Sequence, residues 1–131
     1  MIARDELRAL SDAFEEARPR IDAALEHSLG EYTTDDLKDM VMRGRATLWH
    51  TEGYSGVTKV VDFPRKRWVA VIAAGGSLEA LRSLAKPGGA FEQYAQAVGA
   101  DGIIIEGRKG WGRAFAPYGY KASTAQIVKE L

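Results

Sequence analysis

Residues 106–121 read EGRKGWGRAFAPYGYK. Ile103, Ile104 and Ile105 lead in, and after Glu106 come glycines, cations and four aromatic rings with no further acid. That composition suits three structures: a nucleic-acid grip, a cofactor loop, or a tight corner between a strand and a helix. The spacing favours the corner. Gly107 and Gly110 let the chain leave a buried strand and start a helix at once. Trp111 and Phe115, four apart, share a helix face and are expected to pack on a sheet. Gly112 is expected to permit close backbone approach, and Arg108, Lys109 and Arg113 to point outward. A nucleic-acid grip would hold rings among cations as stacking platforms. This stretch lacks a basic surround, although Arg65, Lys66 and Arg67 would add to it if the fold set them alongside.

Working outward, Gly110–Tyr118 is predicted as a short helix and Tyr120–Leu131 as a closing strand. Ile103–Ile105 is a short, wholly apolar strand of the kind found inside a sheet. Before it, Phe91–Val98 reads as helix, stopped by Gly99 and separated by Pro87-Gly88-Gly89 from a helix that Ser77 caps. Trp68–Ala74 is an apolar strand, Pro64–Arg67 a polar turn and Val57–Phe63 another strand. A first strand alternates Ala46, Leu48 and His50 with Thr47, Trp49 and Thr51. Three strands joined by short turns predict an antiparallel meander.

The first third is helical. Leu7, Leu10, Phe14, Ala17, Ile21, Ala24, Leu25 and Ser28 form one apolar stripe over residues 3–28. Pro19 interrupts it, and predicts a kink or a split into helices near 3–17 and 19–29. The acids Asp5, Glu6, Asp12, Glu15, Glu16, Asp22 and Glu26 lie off the stripe. The helix is expected to pack on its own sheet, with docking to a partner as the alternative. Thr33-Thr34-Asp35-Asp36 starts a second helix, with Leu37, Met40 and Val41 as its buried face and Gly44 as its stop.

At 131 residues the chain is expected to be one domain: residues 1–30 a helical extension, 31–131 the core. Lysine plus arginine and aspartate plus glutamate balance at 18 each, so no global field favours nucleic acid or a membrane. The chain has no cysteine, which excludes disulfides and thiolate metal sites and fits a virion or host cytoplasm. The charged start MIARDELRAL does not resemble a signal peptide, and no apolar run approaches the roughly 20 residues of a membrane span. His27 and His50 have no ligand partner at a recognised spacing, so no metal site is expected.

Helices, a meander, a long helix, an apolar strand, a short helix and a last strand follow one another as in the GNAT acetyltransferases. The segment GADGIIIEGRKGWGRAFAPYGYK resembles that family's helix end, strand, short helix and Gly-aromatic pair, here Gly119-Tyr120. The resemblance implies an α+β (α/β) fold: a twisted mixed sheet of five or six strands flanked by helices, with an added N-terminal helix. The chain is also similar to small tailed-phage proteins encoded among virion genes. Pro64-Arg65-Lys66-Arg67, Ala74-Gly75-Gly76, Gly107-Arg108-Lys109-Gly110-Trp111 and Lys129-Glu130-Leu131 carry that similarity.

The family resemblance implies three chemical requirements. A Gly-rich loop at a helix N-terminus holds the acyl-CoA pyrophosphate. Ala74, Gly75, Gly76 and Ser77 stand there, as a short phosphate nest or merely as a strand-to-helix turn needing positive φ. A tyrosine protonates the departing thiolate, yet its position holds Phe115, which has no proton to give. Arg108 stands where the family often has asparagine, and Tyr118 is near but out of register. A base takes the amine proton, with Glu106, Glu79 and His50 as candidates that could equally make ordinary surface contacts. With the similarity to phage proteins, these departures imply a phage-type protein with degenerate catalysis and a virion-associated or assembly role. Its partners would be other virion proteins or a second copy, met through the N-terminal helix or a sheet edge. The alternative is an acetyl-CoA-dependent N-acetyltransferase.

Overall fold

The computed structural model describes residues 4–106, 111–123 and 127–131. Its first element, α1 (Arg4–Leu25), continues without a break across Pro19. The predicted split does not occur. A proline inside a helix costs about 3 kcal/mol, but Phe14, Ala17 and Ile21 on either side of Pro19 are all fully buried on one face. That shared packing holds the two halves in one register. Next, α2 (Thr34–Met42) starts with a capping box: Thr33 accepts the Asp36 N–H, and the Asp36 carboxylate accepts the Thr33 N–H.

The sheet has strands β1 (Thr47–His50), β2 (Tyr54–Asp62), β3 (Arg67–Gly76) and β4 (Gly102–Ile105), in that order. The first three form the predicted antiparallel meander, and β4 lies parallel to β3. Between β3 and β4 the chain forms α3 (Leu78–Ala85) and α4 (Ala90–Ala97), parted by Pro87-Gly88 as the sequence suggests. After β4 come α5 (Trp111–Phe115) and one 3-10 turn over Ala116–Tyr118.

Among the described residues there are four strands, not five or six. Tyr120–Ser123 and residues 127–131 join no strand, so the predicted closing strand is not formed there. The sequence Ile127-Val128-Lys129-Glu130-Leu131 sets two apolar residues beside two charges, not the strict alternation that pins a strand face. Gly112 would meet open space with a side chain, so it serves no close approach. Gly107, Arg108, Lys109 and Gly110 lie outside the described residues.

Two cores flank the sheet. Phe14, Ala17, Ile21, Leu37 and Val41 of α1 and α2 pack against Val57 and Ala73. On the other face, Tyr54 and Val71 meet Leu81, Ala85, Phe91 and Phe115. Phe115 is thus buried as predicted, and Trp111 meets it edge-on with ring centres 6.1 Å apart.

Candidate functional site

The site begins with an irregularity in β3. Opposite Val57 and Thr58, β3 supplies Ala73 and Val71, leaving Ile72 without a counterpart. This bulge places successive residues Ile72 and Ala73 toward the same core, the one under α1. Beyond it the sheet opens. The β3–β4 ladder runs from Trp68–Gly102 to Val71–Ile105 and stops, whereas β3 continues to Gly76. Among the described residues, then, no strand pairs with residues 72–76 on their β4 side, which leaves a parting there.

At the far end of that parting stands the N-terminus of α3. Ser77 caps it by accepting the Ala80 N–H at 3.1 Å, and the Ser77 N–H donates to the Gly53 carbonyl at 3.0 Å. Gly75 and Gly76 have steric roles here. A side chain at Gly75 would run into the Arg20 carbonyl of α1, and one at Gly76 into the Gly53 carbonyl. Gly76 also sits at φ 106°, a conformation that favours glycine. The turn reading, which needs positive φ, is met at Gly76, while Gly75 is a close-approach position within β3. The amides at the start of α3 keep the anion preference of a helix N-terminus.

Ala74, Gly75, Gly76, Ser77 and Leu78 line a small cleft of about 100 Å³ with Tyr54, Leu81 and Trp111. Tyr54 is the group the sequence reading missed. It opens β2 three residues before the predicted start at Val57, and its ring leans over Gly56. The hydroxyl is buried and has no hydrogen-bond partner. Burial raises its pKa well above the usual tyrosine value, so it stays protonated at neutral pH. Arg82 Nε on α3 is also buried without a partner, and its guanidinium lies over the Tyr118 ring at 5.4 Å.

The predicted acids and bases are not brought together. Glu79, in the first turn of α3, and Glu106, the first residue after β4, are both exposed, and neither lines the cleft. Tyr118 is half-buried against Arg82 in the 3-10 turn. His50 belongs to the opposite face of the sheet. Its Nδ1 is 2.7 Å from the Ser55 hydroxyl and its Nε2 is 3.6 Å from the Glu16 carboxylate of α1. Arg20 completes that cluster, donating to the Thr51 and Glu52 carbonyls at 2.9 and 2.5 Å. This group fastens α1 to the β1–β2 turn.

No protein-family profile and no curated sequence matches the chain. Solved structures do. The wild-type protein TTHA1254 of Thermus thermophilus aligns with a TM-score of 0.56 at 20% identity, over 89% of this chain and 92% of its own. Glucosamine-6-phosphate N-acetyltransferase from Arabidopsis thaliana aligns at 0.58 and 11% identity, with the same coverage of the two chains. An acetyltransferase from Trypanosoma brucei aligns at 0.51 and 10% identity, over 99% of this chain and 96% of its own. The fold is that of the GNAT acetyltransferases. Identities this low establish architecture alone. Ala74–Ser77, the segment to which the sequence resemblance assigns acyl-CoA pyrophosphate, lies at the end of β3 and the capped start of α3. Phe115, which the resemblance sets where a catalytic tyrosine is expected, is only 3% exposed and packs against the Trp111 and Tyr120 rings. It serves the core and offers no proton.

Proposed function

We propose that the chain binds an acyl-CoA thioester where β3 and β4 part and transfers the acyl group to an amine. The observation that carries this reading is the parting itself: a parallel strand pair that ends at the β3 bulge, beside a helix N-terminus. The β3 backbone beyond Val71, unpaired on its β4 side among the described residues, suits an extended, amide-bearing arm, much as an added strand is held by a sheet edge. The start of α3 suits a diphosphate. In the transfer, the amine nitrogen bonds to the thioester carbon and gives up one proton to solvent, the carbon–sulfur bond breaks, and sulfur takes the electron pair and then a proton. Of the described side chains lining the cleft, Tyr54 and Ser77 carry hydroxyls, and that of Ser77 is engaged with the Ala80 N–H. Tyr54 is then the proton donor, in place of the absent family tyrosine.

The burial of Phe115 also favours a second reading, a scaffold that keeps the binding cleft but has lost turnover and acts in a virion or its assembly. Calorimetry and thermal unfolding with acetyl-CoA test both. Ligand at 100 times its Kd stabilises the fold by about 2.7 kcal/mol. Leu78→Glu sets a carboxylate at the cleft on a side chain that is already 40% exposed, and is expected to abolish that gain without unfolding the chain. No stabilisation of the parent protein at millimolar acetyl-CoA overturns the acyl-CoA proposal. Binding without transfer to any of a panel of amines selects the scaffold.

A further inference from the structure

We infer that Arg20, on the opposite face of the sheet, is a positioning residue for the cleft at the start of α3. The inference rests on the reading of that cleft as an acyl-CoA site. Arg20 belongs to α1, yet its guanidinium donates to the Thr51 and Glu52 carbonyls and, at 3.3 Å, to the Ser55 hydroxyl oxygen. These three acceptors flank Gly53 and Tyr54, and those two residues work on the cleft side. The Gly53 carbonyl accepts the Ser77 N–H at 3.0 Å, which seats the N-terminus of α3. Tyr54 lines the cleft. The Thr51 N–H donates to the Tyr54 carbonyl at 2.7 Å, which ties the anchored residues of the turn to the cleft-facing ones.

The backbone of Arg20 reaches the same place. Its carbonyl is the group that a side chain at Gly75 would strike, and Gly75 pairs with Ser55 across β2 and β3. One residue of α1 thus touches both strands where β2 begins and β3 ends. No described residue of α1 lines the cleft, so Arg20 acts through the turn and Gly75. Arginine suits the task because its planar fork presents several N–H groups in fixed directions, whereas an ammonium is a point charge on a flexible stem. What it fixes matters for transfer, since a displacement of about 1 Å at reacting groups can cost roughly 100-fold in rate.

Hydrogen exchange on the ligand-free chain tests the linkage, and calorimetry with acetyl-CoA tests its consequence. In Arg20→Met the Ser77 amide should exchange at least about tenfold faster than in the parent. The β2–β3 ladder away from the turn should stay protected, which shows that the chain is folded. Acetyl-CoA should bind at least about tenfold more weakly. Arg18→Met breaks the Glu15 and Asp35 pairs on the same helix and should leave both values at those of the parent. Gly53→Ala sets a methyl 3.0 Å from the Ala80 side chain, pressing on the same joint from the α3 side, so it should also weaken binding. Unchanged Ser77 exchange or unchanged affinity in Arg20→Met overturns the inference. So does an equal loss in Arg18→Met, or full recovery of affinity in Arg20→Lys. A parent that does not bind acetyl-CoA overturns the acyl-CoA reading, and the exchange result still decides whether Arg20 holds the start of α3.

Discussion

The two faces of the sheet differ in how well their polar groups are satisfied. Under α1 and α2 the core is mostly aliphatic and small, and the polar groups at its margin are paired. Arg20 caps the β1–β2 turn carbonyls, His50 meets Ser55 and Glu16, and Arg18 joins Glu15 and Asp35. Under α3, α4 and α5 the core is aromatic. Trp49 meets Phe91 and Tyr94 edge-on, and Phe115 meets Trp111 and Tyr120. That face also holds two buried hydroxyls without partners, on Tyr54 and Tyr120. An orphaned buried polar group costs about 1–3 kcal/mol. One face is thus built for stability, and the other tolerates a cost at its cleft and at Tyr120. This is the division expected if ligand or partner groups complete the second face.

The largest break in the comparison comes from emptying the first core. Phe14→Ala removes a fully buried ring. It should cost about 3–5 kcal/mol in urea unfolding, while the chain that remains folded keeps the same acetyl-CoA affinity. A change in affinity as large as the change in stability would show that the faces are not separate. Gly75→Ala tests their junction, because Gly75 lies at the cleft yet abuts Arg20 of α1. The added methyl must push the α1 backbone away, for a loss of about 1–3 kcal/mol. Unchanged stability would show that α1 moves freely at this point.

The second face predicts the opposite sign. Tyr54→Phe deletes an unpaired hydroxyl and leaves the ring packed, so stability should hold or rise by up to about 1 kcal/mol. Transfer activity should fall by roughly 100-fold or more, the usual loss with a general acid, with acetyl-CoA binding retained. A loss of stability would mean that the hydroxyl is already satisfied in the protein.

This division was only partly legible in the sequence. The stripe from Leu10 to Leu25 marks the α1 face, and the period-two and apolar runs mark the meander and β4, because those patterns encode which side is buried. Trp111 and Phe115 were readable as a packed pair for the same reason. Pro19 misled, since a local penalty was outweighed by long-range packing of Phe14 and Ile21. The cleft was half legible. Ala74–Ser77 stood out as a glycine turn before a cap, but the bulge at Ile72 depends on a register mismatch between β2 and β3 that neither strand reveals alone. Tyr54 was missed because Glu52-Gly53 marked a turn there and the apolar run proper begins at Val57. A lone tyrosine at a strand start signals nothing until the fold buries its hydroxyl.

The smallest effect lies where α1 meets α2, at the solvent edge of the satisfied face. Glu15 receives Arg18 at 2.8 Å and Lys38 at 2.6 Å. Their hydrogen bonds hold its pKa at about 2, well below its ordinary 4.5. A carboxylate with a depressed folded-state pKa adds stability above its unfolded pKa and loses it as pH falls through the folded value. Glu15→Gln should therefore be slightly less stable than the parent at pH 7, and the gap should close between about pH 4.5 and 2. The gap should also shrink in high salt, because the pair is exposed and screened. The same titration repeated on Tyr54→Phe should follow the parent throughout this range, since a buried phenol stays protonated in acid. A gap at Glu15 that persists at pH 2 would mean that the side chain contributes by packing rather than by charge, and the edge of this face would then be no more electrostatic than its core.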